Sequence, residues 1–362
     1  MTIALDPGAF TMRSLCRKRD ELISRRCRSI ATSIRESDAR RRWLNFVKVP
    51  YLRAEDALVV PGSAAIEADE LFDAVPRDLL PSGLIPIGDP VTRQTIAALV
   101  EGLLPWSEHR HEVCCFAQPG QRSGGADGDM SLERRRDFFA RLIHLRGYRP
   151  VSLNPATALV LAEMGRWGFT GIGIALGAAS CEITVVHLGN QIAQGRIARG
   201  GRWIDEQFAL RARILRRDSS GEQVLDVEAA RRRKESLTLK NVSDGDHRLV
   251  EGLYRNLIGE LVEVLSETLV GRASMALLPQ PLAIVCAGGP ARIEGFRELL
   301  GAEIDRQALP VPVAGPDLVS DHEYAVARGC LIRAELEEST STSPCTAGIR
   351  PRAEAALCSR SA

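Results

Sequence analysis

Short apolar runs bounded by Gly, Pro, Asn or Asp alternate along the chain with longer stretches whose apolar residues recur at helical spacing. Strands are predicted in "TIALDPGAFTMRSLCRKR", which reads as a strand, a Gly turn and a second strand, and then in "ALVVP", "EVCCFAQ" and "PVSLN". Further strands follow in the hairpin "GIGIALGAASCEITVVHLGN", in "GNQIAQGRIARGG" and in "PLAIVCAGG". Helices are predicted from Pro90 to Pro105, from Ser131 to Gly147 and from Pro155 through "ATALVLAEMG", with Ser131 and Gly147 as start and stop signals and Pro155 in a first turn. Others are expected over 203–240, with an Arg-rich middle, over 247–271, in "ARIEGFRELLG" and over 321–336. The alternation predicts an α/β fold with a mixed sheet.

Three stretches escape this scheme. Residues 16–47 are ambiguous, and their basic side chains read either as a solvated helix face or as a ligand or lipid surface. "QRSGGADGDM" reads as a flexible loop, and the Ser/Thr/Pro-rich residues 336–362 read as a disordered tail.

Composition narrows the function classes. With 362 residues, 45% of them hydrophobic, the chain can bury two cores and make two lobes. A net charge of +1 gives no global field toward nucleic acid or a membrane surface. Nine scattered cysteines with no CxxC pair argue against a zinc site or a disulfide framework and for a reducing cytoplasm. No secretory leader is expected at "MTIALDPG", and no apolar run reaches the roughly 20 residues of a membrane span. Trp43, Leu44, Phe46 and Val47, beside the basic segment, either pack in a small lobe or touch a membrane peripherally.

"IALDPG" and "GIALG" each place a Gly turn between two strands, one per half of the chain. Together with "SGLIPIGDPVTRQTIAALV", "NPATALVLAEMG", "GAASCEITVVHLGNQIAQGRIARGGRWIDE", "AIVCAGGPARIEGF" and "HEYAVARG", in that order, the chain resembles the actin and heat-shock-chaperone ATPase superfamily, in its bacterial MreB-like branch. The likeness runs over roughly residues 1–335. It implies an actin-like ATPase fold of duplicated ribonuclease-H-like domains with a nucleotide cleft between two lobes. The expected division is 1–150, with a small subdomain at 16–75, and 151–335, with a helical subdomain at 203–268 and the last helix returning to the first lobe.

The resemblance also assigns residues. Two hairpin turns hold the phosphates and magnesium, through backbone N–H groups and an acid that binds metal-bound water. Asp6 and Gly8 stand in the first turn as acid and glycine, Asp6 being the magnesium-water ligand, and Arg13 sits at the spacing of a phosphate-contacting lysine. Gly177 and Ser180 fit the second turn, but Ala175 occupies the place of its acid, and Ala178 and Ala179 replace glycines. Asn154 stands where the branch has the glutamate that positions the attacking water; it can orient a water but cannot take a proton, and it reads equally as an N-cap. On the nucleoside side are Gly201, Asp205, Lys234, Gly288 and Gly289, with Arg202 in place of a family acid. Asp6 also reads as a turn acid, and Lys234 as a solvated surface residue.

The function implied is a cytoplasmic, ATP- and magnesium-binding cytoskeletal protein that self-associates into filaments, organises cell shape or envelope and hydrolyses ATP weakly. Its partners would be an MreB paralogue or envelope proteins, with peripheral membrane contact and no nucleic acid. A non-catalytic scaffold or modulator of a true MreB is the alternative. A chaperone would need a substrate-binding β domain, and none is expected after Glu335.

Overall fold

The computed structural model describes residues 1–72, 74–109, 112–120, 126–217, 221–240, 245–270, 275 and 278–342. In the first half, β1 (Thr2–Pro7) turns through Gly8 into β2 (Thr11–Lys18), and β3 (Glu21–Arg28) continues the antiparallel meander. Next, β4 (Ile30–Arg35), α1 (Asp38–Phe46), β5 (Leu52–Ala54), β6 (Ala57–Pro61), α2 (Ala64–Phe72) and β7 (Arg77–Asp78) form a small unit. It has its own four-stranded sheet and a core around Ile34, Leu44, Leu58 and Val60. The chain returns through α3 (Pro90–Leu103) to β8 (Val113–Ala117), then through α4 (Ala126–Leu145) to β9 (Arg149–Leu153). These two strands add in parallel beyond β1, giving the order β3-β2-β1-β8-β9.

The second half repeats this arrangement. After α5 (Pro155–Glu163), the strands β10 (Gly171–Leu176), β11 (Cys181–His187) and β12 (Asn190–Ile197) form an antiparallel meander. A helical insertion follows: α6 (Gly201–Arg211), the short hairpin β13 (Leu215–Arg217) and β14 (Gln223–Leu225), α7 (Val227–Glu235) and α8 (Gly245–Leu269). Then β15 (Leu282–Gly288), α9 (Phe296–Gln307) and β16 (Val313–Leu318) complete the order β12-β11-β10-β15-β16, and α10 (Ala325–Thr342) ends the described chain. Both sheets thus set a three-stranded meander beside two parallel strands, with the first strand of each half in the centre, which is a duplicated α/β fold.

α5 and α10 join the halves. Residues Ala156–Leu161 of α5 are all buried, as a helix apolar on every side must be. One side packs with α10 on Ala4, Val113 and Cys115 of the first sheet, the other on Ala175, Val186 and Ala287 of the second. The approach is so close that a Cβ on Gly173 would lie 2.1 Å from the Ala156 carbonyl oxygen, and one on Gly329 would lie 1.8 Å from that of Ala158. Further along α10, Glu338 accepts from Thr2 Oγ1 and from the Val113 N–H, which pins the helix to the first sheet.

Several elements differ from the sequence expectation. The basic run within 16–47 lies partly on β3, an edge strand whose Arg25 and Arg26 are exposed, where like charges guard an open edge. The separate four-stranded sheet takes up the chain from Ile30. α4 starts at Ala126, ahead of the Ser131 start signal. The span 203–240 is broken by the β13–β14 hairpin, and Gly221, at φ 84°, supplies a backbone conformation no helix accepts. β16 was not foreseen, and α10 runs to Thr342, beyond the expected tail boundary. The rest of the tail and "QRSGG" lie outside the described residues.

Of the four apolar residues beside the basic segment, Leu44 is fully buried and Trp43 packs edge-on against Phe72, whereas Phe46 is 85% exposed. Cys114 and Cys115 are buried in β8, and burial pushes the Cys114 thiol up, so it is inert. Among the described residues no helix is long and apolar enough to cross a membrane.

Candidate nucleotide cleft

A cleft of about 710 Å³ opens between the two sheets, and the two Gly turns face it. The turns are built alike. A Cβ on Gly8 would meet the Thr11 carbonyl oxygen at 2.6 Å, and one on Gly177 would meet that of Ser180 at 2.8 Å. In each, glycine allows the chain to fold back tightly, three residues on, into the second strand. The second turn docks on the start of α6: Gly201 N–H donates to the Gly177 carbonyl and Arg202 N–H to that of Ala178. Among the described residues nothing accepts from the backbone N–H groups of Ala178, Ala179 and Ser180, which lie at the cleft wall and can meet an anion.

Of the residues singled out in the sequence, Asp6, Gly8, Arg13, Gly177, Ser180, Gly201, Asp205, Lys234, Gly288 and Gly289 all line this cleft. Gly288 has φ 130°, and a Cβ there would lie 2.0 Å from the Leu176 carbonyl oxygen, so glycine is required where β15 meets β10. It leads into a single 3-10 turn, Gly289–Arg292, rather than directly into α9. Lys234 is buried rather than solvated, and its ammonium sits 2.6 Å from Asp205, so the two form one ion pair between α7 and α6.

Asn154 is the exception. Its Oδ1 caps α5 by accepting from Ala156 N–H, and its Nδ2 donates to Glu182. It lines not the cleft but a cavity of about 240 Å³ behind it, with Gln118, Gln191 and Gln194. One lone pair of Oδ1 and one N–H of Nδ2 are thus engaged, and the N-cap is the role the structure displays.

The sequence reading overlooked Glu182. It is the cross-strand partner of Ala175, so the hairpin keeps a carboxylate but moves it from β10 to β11. Its Oε1 accepts from Ser180 Oγ at 2.9 Å and Arg196 Nε at 3.1 Å, and its Oε2 from Gly120 N–H at 2.9 Å and Asn154 Nδ2 at 3.4 Å. Four donors fill both oxygens. Glu182 therefore ties the second turn, the cap of α5 and the segment after β8 into one network. Burial pushes its carboxyl up to about 7, against the opposing pull of Arg196 and the donors.

That shift fixes a pH dependence. Between about pH 4.5 and 7 the unfolded carboxyl is ionised while the folded one keeps its proton, so stability falls as pH rises through that window. The expected loss is roughly 3 kcal/mol. Glu182→Gln should flatten this portion of the profile in urea melts at stepped pH. An equal slope in both proteins would contradict the assignment.

Few side chains around the expected magnesium position are free to hold a metal-bound water. Asp6 faces Arg13 Nη1 at 3.7 Å, Ala175 offers no ligand, and ionised Glu182 has no free lone pair for a metal-bound water. Among the described residues no group of three His, Cys, Asp or Glu side chains is placed to hold a metal ion. The cation in this part of the cleft is Arg135, from α4, which the sequence reading also missed. It is 3% exposed and donates to the carbonyls of Pro7 and Ala117 and to Gln118 Oε1. Burial lowers it to about 10, against the pull of Asp6 and Glu182, so it stays cationic at neutral pH.

The cleft mouth is strapped by ion pairs between the halves. Arg202 Nη2 lies 2.6 Å from Asp78 and also donates to the Ala9 carbonyl; Arg216 reaches Asp69 at 2.8 Å, and Arg28 reaches Glu228 at 3.5 Å. Arg202, which stands in place of a family acid, thus has a visible structural partner.

Comparison with known proteins agrees with this geometry. The chain is similar to MamK in its double helical filament, with 16% identity, a TM-score of 0.64, and 92% of this chain and 99% of that one covered. It is also similar to MreB 5 of Spiroplasma citri bound to AMPPNP, with 13% identity, a TM-score of 0.65, and 94% and 97% covered. These likenesses establish the actin-like fold. Among curated proteins none matches the chain. The volactin family profile matches residues 1–334, nearly the whole described chain, and the protein belongs to the volactin family.

Proposed function

We propose that this protein is an actin-like cytoskeletal protein that binds ATP between lobes 1–150 and 151–335, assembles into filaments and organises cell shape or envelope from the cytoplasm. The observation that carries the reading is the pair of equivalent Gly turns, at Gly8 and Gly177, facing one cleft with unengaged N–H groups in the second. Two neighbours support it: MreB 5 of Spiroplasma citri is bound to AMPPNP in one structure and to ADP in another, and MamK forms a double helical filament. Partners would be further copies of the chain, an MreB paralogue or envelope proteins. Peripheral membrane contact would use Phe46, since its apolar neighbours Trp43 and Leu44 are packed.

Sedimentation and electron microscopy of the purified chain with and without ATP test this reading. Filaments that pellet with ATP are expected; a chain that stays in the supernatant at every nucleotide and protein concentration contradicts it.

A second reading, that of a scaffold or modulator that binds nucleotide without hydrolysing it, is favoured by Asn154, an amide that caps α5 and cannot take a proton, and by Ala175. Phosphate release from bound ATP separates the two.

A further inference from the structure

Arg135 presents an unusual balance of charge. It is buried, it lines the cleft, and among the described residues it makes no ion pair. Its Nε has no hydrogen-bond partner at all. Three neutral oxygens, the Phe139 ring at 5.0 Å and the more distant carboxylates of Asp6 and Glu182 offset its burial in part, and a directly paired anion would offset more. Arg13, on β2 and lining the same cleft, is also incompletely engaged: its Nε is buried without a partner, its Nη1 donates to the Thr11 carbonyl at 3.4 Å, and its ion pair with Asp6 is long, at 3.7 Å. Ala178, Ala179 and Ser180, whose N–H groups have no acceptor among the described residues, line the same cleft.

We infer that Arg135 and Arg13 take the place of the divalent cation, so that this cleft binds the polyphosphate of its nucleotide without metal. The inference rests on the nucleotide reading above and departs from the metal-dependent site that the resemblance implies. Guanidinium groups are well suited to phosphate, because each offers several donors in a rigid plane and pairs with phosphate oxygens in two parallel bonds. Glu182, filled by four donors, offers a metal no ligand, and Asp6 is a single carboxylate beside the Arg13 guanidinium. The moved carboxylate and the buried arginine are two parts of one rearrangement: the hairpin lost its metal-facing acid, and the opposite wall supplies a fixed positive charge.

Calorimetric titration of the full chain with ATP, and separately with tripolyphosphate, in excess magnesium and in excess EDTA tests this. The expected result is ATP affinity equal within about twofold in the two buffers, and at least about tenfold weaker binding in Arg135→Gln. Should Arg135→Gln fail to fold, Arg13→Gln at a more exposed position is expected to weaken ATP about tenfold. ATP binding that drops about tenfold or more in EDTA overturns the inference and leaves the nucleotide reading standing. Tripolyphosphate binding in EDTA without ATP binding supports the arginine site and defeats the nucleotide reading. If neither compound binds in either buffer, both fall.

Discussion

Glu182→Ala is expected to destabilise the protein by roughly 3–5 kcal/mol, because it removes one partner from a buried ion pair and leaves the other behind. Arg196, 9% exposed at its side chain, would lose its carboxylate, and Gly120 N–H, Ser180 Oγ and Asn154 Nδ2 would lose their acceptor together. Glu182→Gln keeps the shape and an acceptor oxygen, so it should lose much less. The contrast matters because the ionised pair need not be stabilising in itself. Burial raises the carboxyl, which means that ionisation in place works against the fold, yet deletion is worse than retention. Urea unfolding of both variants at pH 8 measures the difference, and equal midpoints would show that the network carries no weight.

The second large effect is expected at the junction of the halves. Gly329→Ala places a Cβ 1.8 Å from the Ala158 carbonyl oxygen, where α10 crosses α5, and the obstacle is backbone rather than a movable side-chain end. Overpacking of this kind typically loses about 1–3 kcal/mol and here should reach or exceed the upper figure. Gly252→Ala in α8 is the matched control, since nothing lies within 4 Å of its Cβ position. There the same substitution should stabilise by about 0.5–1 kcal/mol through helix propensity alone. Opposite signs in chemical denaturation would locate the interlobe contact at the α5–α10 crossing; like signs would remove it.

The contrast between what was legible in the sequence and what was not has a physical basis. Gly turns between strands are readable because only glycine tolerates the local geometry, and both halves announced themselves through Gly8 and Gly177. The cap at Asn154 was readable for a similar reason, as a short polar side chain placed just before a helix proline. The α5–α10 packing was not readable, because Gly329 is required by a carbonyl far away in sequence. Arg135 was hidden in the charged run "LERRRD", where nothing local distinguishes the buried arginine from its exposed neighbours Arg134 and Arg136. Glu182 left a signal that went unused: it is the single charge in the apolar strand "CEITVVH", and a lone acid in a buried strand must find a partner. Arg196 faces it across the β11–β12 register, fourteen residues on in the hairpin.

These two overlooked residues change the chemistry expected of the cleft. A reading based on position alone sees a missing acid at Ala175 and infers a weakened magnesium site. In the structure the hairpin's carboxylate stands at Glu182, opposite Ala175, and is engaged by its neighbours, and a buried arginine lines the same cleft.

The central claim is that both Gly turns grip a single nucleotide in one cleft, and amide hydrogen exchange with and without saturating ATP tests it most directly. Exchange should slow at residues 8–10 and 178–180 together, since ligand binding closes the local openings that expose those amides. Unchanged exchange at both turns, or protection confined to one of them, would contradict the account.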